Sequence, residues 1–354
     1  MAEGKSQNWP DWFLGAGKEV EETSEYFANA RERLLKTGEE YVHIYPLQNQ
    51  LLHYQDQLVQ KGIINLEGQI LKRHTELPSE FYVICTYAVA APLRLFKLLV
   101  ESKRFIIVHL LDSIYLNLAN KNILGALSAF RSTIEHVSIF NDAITHVQKI
   151  AMPNSSNDAL IVRTELEAKL AELTLGTRID WNKFANQDLE AILSNRKNYT
   201  YKNAADRMDM TSDSVMNAID RLNKKINTAR GTYELLCEFA HPNIGATFAI
   251  TESIETNVDN QGVVWVRKSI GIREPASFVS EFGNTICLVV KTVRQCIHHF
   301  EDLIDESSNL QNKVQTIVQI GCRELLTNTK DLFDTYSICP CASGEKIKFC
   351  CGKR

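Results

Sequence analysis

The densest chemistry in the chain lies at its C-terminal end. Residues 339–354 read Cys339-Pro-Cys341-Ala-Ser-Gly-Glu-Lys-Ile-Lys-Phe-Cys350-Cys351-Gly-Lys-Arg354. Four thiols thus fall within thirteen residues, as a Cys-x-Cys pair and a Cys-Cys pair with eight residues between them. Four thiolates so spaced can close a tetrahedral shell around Zn²⁺, and both pairs are needed because two ligands cannot fill it. Gly344 lets the intervening loop reverse, and Pro340 restrains the first pair. Zinc with four thiolates carries a net negative charge, which Lys346, Lys348, Lys353 and Arg354 offset while favouring thiol ionisation. So short a segment has no core of its own, and metal binding would supply its folding free energy. Free thiols or a disulfide are the other readings. Adjacent cysteines form only a strained bridge, and a reducing compartment would remove it. Cys85, Cys237, Cys287, Cys296 and Cys322 are scattered among apolar neighbours.

Two stretches of the preceding chain could also carry chemistry. One is Phe130-Arg131-Ser-Thr-Ile-Glu135-His136, the other Tyr233-Glu-Leu-Leu-Cys-Glu-Phe-Ala-His241-Pro242. Arg131 and Glu135 are four residues apart, neighbours on one helix face. His136 is five residues from Arg131, about 140° round the helix, so those two diverge. His241 ends a helix, where the macrodipole favours an imidazolium. A histidine, an arginine and a carboxylate meeting between helices could act as base, anion clamp and orienter. Arg131, Glu135 and His241 are therefore expected to converge on a cleft, with Tyr233 and then His136 as the next candidate site residues. The alternative is an ordinary helix ion pair and a helix-ending histidine.

Two resemblances rest on these residues. The run Cys-Pro-Cys-x-Ser-Gly-x-Lys-x-Lys-x-Cys-Cys-Gly resembles the SEC-C motif, a zinc tail of the bacterial preprotein translocase ATPase and of many unrelated proteins. It departs at Ile347, where that family usually has an aromatic residue. The resemblance implies Cys339, Cys341, Cys350 and Cys351 as zinc ligands. It also implies a docking role, since the translocase tail contacts a chaperone and the ribosome. Arg131-x₄-His136 matches the Arg-x₄₋₆-His signature of HEPN proteins, a helical superfamily that includes RNA-cleaving toxins and phage-defence effectors. Arg-Ser-x-x-Glu followed by Tyr-x-x-Leu-x-x-x-x-His-Pro also looks like a family of uncharacterised bacterial helical proteins, over about residues 80–300. These likenesses imply metal-independent RNA cleavage, in which a histidine takes the 2′-OH proton and an arginine stabilises the phosphate. Arg196, Lys197, Lys202, Arg221, Lys224 and Lys225 could grip RNA, or lie on a solvated helix face.

The elements that must position these groups are mostly helical. Residues 19–75 read as helices without a sustained heptad, with Leu47, Leu51, Leu58, Ile63 and Leu66 at helical spacing. Ser79 to Leu118 suggests a buried helical hairpin bent or broken at Pro92. Asn122 to Gln148 carries one apolar stripe: Phe130, Ile134, Val137, Phe140 and Ile144. Helices are further expected over 159–175, over 214–240 in one piece, from Pro275 through Leu303, and over 310–333. A β-hairpin spans about 246–270, with a turn through Asp259-Asn260-Gln261-Gly262. The fold class is mainly α: a multi-helix body with one small β-hairpin and a C-terminal zinc-binding tail. The regions are 1–78, 79–334 and 335–354. Removing the tail after Asp334 is expected to leave the body's melting nearly unchanged.

Composition bounds the rest. The 354 residues hold only 8 Pro and 16 Gly, which disfavours a β-sandwich or barrel. A net charge of −4 gives no overall field toward nucleic acid or anionic membrane, so RNA would need a local basic patch. There is no Gly-x-x-x-x-Gly-Lys-Ser/Thr loop, no Gly-x-Ser-x-Gly elbow and no dinucleotide glycine fingerprint. No leader-like or membrane-spanning run is seen, so a cytoplasmic location is expected. Two functions of different class follow. One is a HEPN-like ribonuclease, a toxin or antiviral effector, with the tail docking a defence-system component. The other is a non-enzymatic adaptor whose tail binds a chaperone, the ribosome or another protein. A homodimer would serve the first if its site residues are far apart within one chain.

Overall fold

The computed structural model describes residues 9–36, 79–152, 159–175, 215–240, 251–270, 275–328 and 334–353. Among these residues the fold is mainly α, with eight α-helices and one two-stranded hairpin. The helices are α1 (Asp11–Leu14), α2 (Lys18–Lys36), α3 (Ser79–Ala119), α4 (Ile123–Ala151), α5 (Ala159–Leu175), α6 (Val215–Asn223), α7 (Ala229–Ala240) and α8 (Pro275–Asn328). The apolar run 47–66, the basic residues Arg196, Lys197 and Lys202, and His241 lie outside the described residues.

Three expectations are corrected. Ser79–Ala119 is one helix that passes through Pro92, not a hairpin. Proline removes one helix hydrogen bond, at a cost of about 3 kcal/mol. Val89, Ala90, Ala91 and Leu93 are all buried around it, and that burial outweighs the loss. The stretch expected as one helix over 214–240 holds two, α6 and α7, because 224–228 turn between them. Ile226 is buried in the turn, and the Asn223 side chain caps α7 by accepting the Arg230 N–H at 3.1 Å. The break expected between Leu303 and Leu310 is absent: α8 runs through that stretch and is kinked instead at Phe282 (φ −112°, ψ 16°).

The hairpin pairs β1 (Thr251–Val258) with β2 (Val264–Ile270) antiparallel, Val258 opposite Val264. Asp259 organises its turn. The carboxylate accepts the Gln261 and Val263 N–H groups and the Trp265 indole, each at 2.9 Å, and Gly262 takes φ +78°.

The chain divides into two compact units, each gathered from separated segments. One comprises Met1–Glu39, Glu101–Ile144 and Asp213–Asp305. Its core meets through rings, with Phe27 and Phe130 centroids 6.4 Å apart and Phe140 and Phe300 at 5.0 Å. Charged residues tie α2 to its neighbours. Arg31 pairs with Asp112, and Glu301 accepts from Arg33 at 2.8 Å and from the Tyr26 hydroxyl at 2.6 Å.

The other unit comprises Glu40–Val100, Thr145–Ser212 and Glu306–Arg354. Leu93, Phe96 and Leu99 of α3, Leu166 and Leu170 of α5, and Leu310, Val314 and Val318 of α8 are buried in it. A Cβ added at Gly321 would stand 3.0 Å from Cδ of Arg163, so glycine there leaves room for the Arg163 side chain against α8.

Candidate metal centre and arginine network

The C-terminal cysteines are brought together by a short antiparallel ribbon. Ile338 and Lys346 form its β-bridge. Cys339 N–H donates to Glu345 O at 2.7 Å, Ile347 N–H to Ser337 O at 2.9 Å and Lys348 N–H to Thr335 O at 2.9 Å. Gly344 reverses the chain at φ +79°, as its place in the sequence suggests. A 3₁₀ turn over Ile347–Phe349 then delivers the second pair. Gly352 is required by space, because a Cβ there would sit 2.6 Å from Ile347 Cγ2 and 2.8 Å from its carbonyl oxygen.

As a result the Sγ atoms of Cys339, Cys341, Cys350 and Cys351 all lie within 4.8 Å of one another. Cys341 and Cys350 are 3.4 Å apart, and Cys350 and Cys351 are 3.7 Å apart. Three of the four residues are buried and Cys350 is half-buried. Cys339, Cys341, Cys350 and Cys351 are all free of disulfides. The four could hold a metal ion, since their soft sulfur donors converge on one point. The Ser343 hydroxyl donates to Cys350 Sγ at 3.2 Å.

This cluster rests on one face of α8. Gln315 Nε2 donates to the Cys341 carbonyl at 3.0 Å, the Cys351 thiol donates to the Gln319 carbonyl at 3.6 Å, and Cys322 Sγ lies 3.8 Å from Cys339 Sγ. Positions 315, 319 and 322 follow the spacing of a single helix face. Gln315, Gln319 and Cys322 were missed from sequence. Glutamines on a helix read as solvated, and a lone cysteine among apolar neighbours reads as core. Opposite the buried Ile347, the ribbon exposes Tyr336 and Ile338 beside Lys346 and Lys348, with Phe349 exposed next to them. Both lysines lie over the Tyr336 ring, at 5.7 and 5.0 Å.

The second cluster joins α4 to α7. Glu135 Oε1 accepts from Arg131 Nη2 at 2.9 Å and from the Tyr233 hydroxyl at 2.8 Å, and Arg131 Nη2 also contacts that hydroxyl at 3.2 Å. The guanidinium lies over the Tyr233 ring at 5.4 Å. Arg131 Nε is buried and has no hydrogen-bond partner among the described residues. Burial pushes the Tyr233 hydroxyl up to about 12, opposed by Arg131 and reinforced by Glu135 as acceptor. Burial also works against the Arg131 charge, but Tyr233 and Glu135 outweigh it and hold the guanidinium above its ordinary value.

His136 takes no part in that triad. Its Nδ1 accepts from Lys103 Nζ of α3 at 3.3 Å, which leaves the ring proton on Nε2. Desolvation first, and then the Lys103 charge, lower the His136 pKa to about 4, and burial lowers Lys103 to about 8. An imidazole so weakly basic is a poor proton acceptor at neutral pH. Of the basic residues read as an RNA grip, Arg221 is paired with Asp142, while Lys224 and Lys225 are exposed.

No protein-family model matches this chain, and neither does any curated protein or solved structure. No helix among the described residues is long and apolar enough to cross a membrane.

Proposed function

We propose that this is a cytoplasmic zinc-binding helical protein that docks a protein partner through its C-terminal tail. The observation that carries the reading is the convergence of four cysteine sulfurs within 4.8 Å. Zinc suits the donor set, since Zn–S bonds of about 2.3 Å in a tetrahedron place the sulfurs about 3.8 Å apart. A metal ligated by thiolates also fits a reducing compartment. Docking is supported by the exposed Tyr336, Ile338 and Phe349, interleaved with Lys346 and Lys348. A chaperone, the ribosome or a defence-system component is the partner class that the SEC-C resemblance favours. When bound, the ion supplies cross-linking of the tail; the four thiolates hold it, and Ser343 orients Cys350.

The purified protein is expected to contain one zinc per chain, released by a thiol-modifying reagent. Replacing Cys350 and Cys351 together by Ser should reduce the metal content to background. Full occupancy in that double variant would overturn the reading.

A second reading is a HEPN-like ribonuclease acting as a toxin or phage-defence effector. It is favoured by the meeting of Arg131 and Glu135 with Tyr233, about a hundred residues away in sequence. Glu135 largely neutralises Arg131, so the phosphate of a substrate would have to displace it from the guanidinium. If the site is catalytic, total RNA should be degraded by the wild-type chain with chelator present. Arg131→Ala and His241→Ala should each slow cleavage at least a hundredfold. Equal rates in all three proteins would leave the triad a structural network.

A further inference from the structure

We infer that Cys322 is the positioning residue of the metal centre: its thiol holds the Cys339 sulfur in place from α8 without itself being a ligand. The inference rests on the zinc reading above. Cys322 is fully buried, and its Sγ lies 3.8 Å from Cys339 Sγ, within hydrogen-bond range for sulfur. Once Cys339 binds a metal it is a thiolate and can only accept, so the proton between the two sulfurs belongs to Cys322.

Metal loading sorts the anchors between the tail and α8. The Cys351 contact with the Gln319 carbonyl needs a proton on Cys351, and that proton leaves when the sulfur becomes a ligand. The Gln315 bond to the Cys341 carbonyl is indifferent to metal, since it ends on the backbone. The Cys322 contact alone becomes stronger, because its acceptor turns from thiol to thiolate. It also draws charge from a sulfur in a shell that is negative overall, as the Ser343 hydroxyl does at Cys350. Two ligands, one from each pair, thus receive a donor from outside the shell. Cys322 supplies the one that ties the shell to the helix.

The test uses the full chain, with zinc competition against a chromogenic chelator and cobalt(II) as a spectroscopic probe. Cys322→Ala should weaken zinc binding about 10- to 100-fold, the usual effect of removing an outer-shell partner. Cys322→Ser keeps a donor and should stay within about threefold of wild type. Both variants should retain the full thiolate-to-cobalt charge-transfer intensity of four sulfurs. Alanine is favourable in a helix, and far-ultraviolet circular dichroism of the metal-free proteins would verify that both variants fold. Wild-type affinity in Cys322→Ala would overturn the assignment, as would serine binding no better than alanine, which would make the role one of packing. Loss of about a quarter of the charge-transfer intensity would overturn it by making Cys322 a ligand. Absence of cobalt–thiolate bands in the wild-type protein would overturn the zinc reading itself, and this assignment with it.

Discussion

Between pH 7 and about 4.5 the wild-type chain should lose about 2 kcal/mol more stability than His136→Gln does. The sign follows from linkage. The folded pKa of His136 is lowered to about 4, by burial and then by the Lys103 charge, against an ordinary value near 6.5. The folded state therefore favours neutral imidazole, and its contribution is fully present above about pH 6.5. Between that value and about 4 the unfolded chain binds a proton that the folded chain refuses, so stability falls on acidification. The shift corresponds to a ceiling of roughly 3 kcal/mol, reduced because the ring is partly exposed and screened. Glutamine has no charged form, yet its carbonyl can still accept from Lys103. Thermal or urea unfolding of both proteins across this range would measure the difference. Parallel pH profiles would mean that His136 gains its proton without penalty.

Stripping the metal, or ending the chain after Asp334, should raise amide hydrogen exchange across residues 310–326 of α8 at least tenfold. Sequence alone suggests an independent tail, but the contacts described above change the expected result. Ile347 is buried, and Gln315, Gln319 and Cys322 all meet the tail from one helix face. Without the tail these positions and the buried residues beside them face water, and local opening becomes easier. Tenfold corresponds to about 1.4 kcal/mol, modest beside the 10 kcal/mol or more that structural zinc contributes to a small domain. Unchanged exchange in α8 would show that the tail rests on the helix without stabilising it.

What could be read from the sequence depended on how local the cause was. The hairpin turn was legible because Asp259 and Gly262 act within five residues of each other. The proximity of the four cysteines was legible because their spacing alone restricts them to one small loop. Helix α5 has the bounds that its pattern suggests. Pro92 misled because its local penalty is real and the burial that overrides it is tertiary. The break between α6 and α7 contains neither glycine nor proline, and only the capping role of Asn223 and the burial of Ile226 reveal it. The Lys103–His136 pair spans two helices and 33 residues, so no periodicity could announce it. Cys322 lay hidden for the same reason.

The interleaving of the two compact units has a consequence for synthesis. Each unit draws a segment from the first hundred residues and another from beyond residue 200. A ribosome adds about 5–20 residues per second, so the early helices wait some ten seconds or more for their partners. The second unit cannot be completed until Glu306–Arg354 has left the exit tunnel, and the cysteines are the last of its parts to emerge. Until then the buried apolar residues Leu93, Phe96 and Leu99 belong to a unit whose last segment is still missing. A nascent chain stalled before residue 306 should therefore be a strong client for chaperones, whereas the released protein is not.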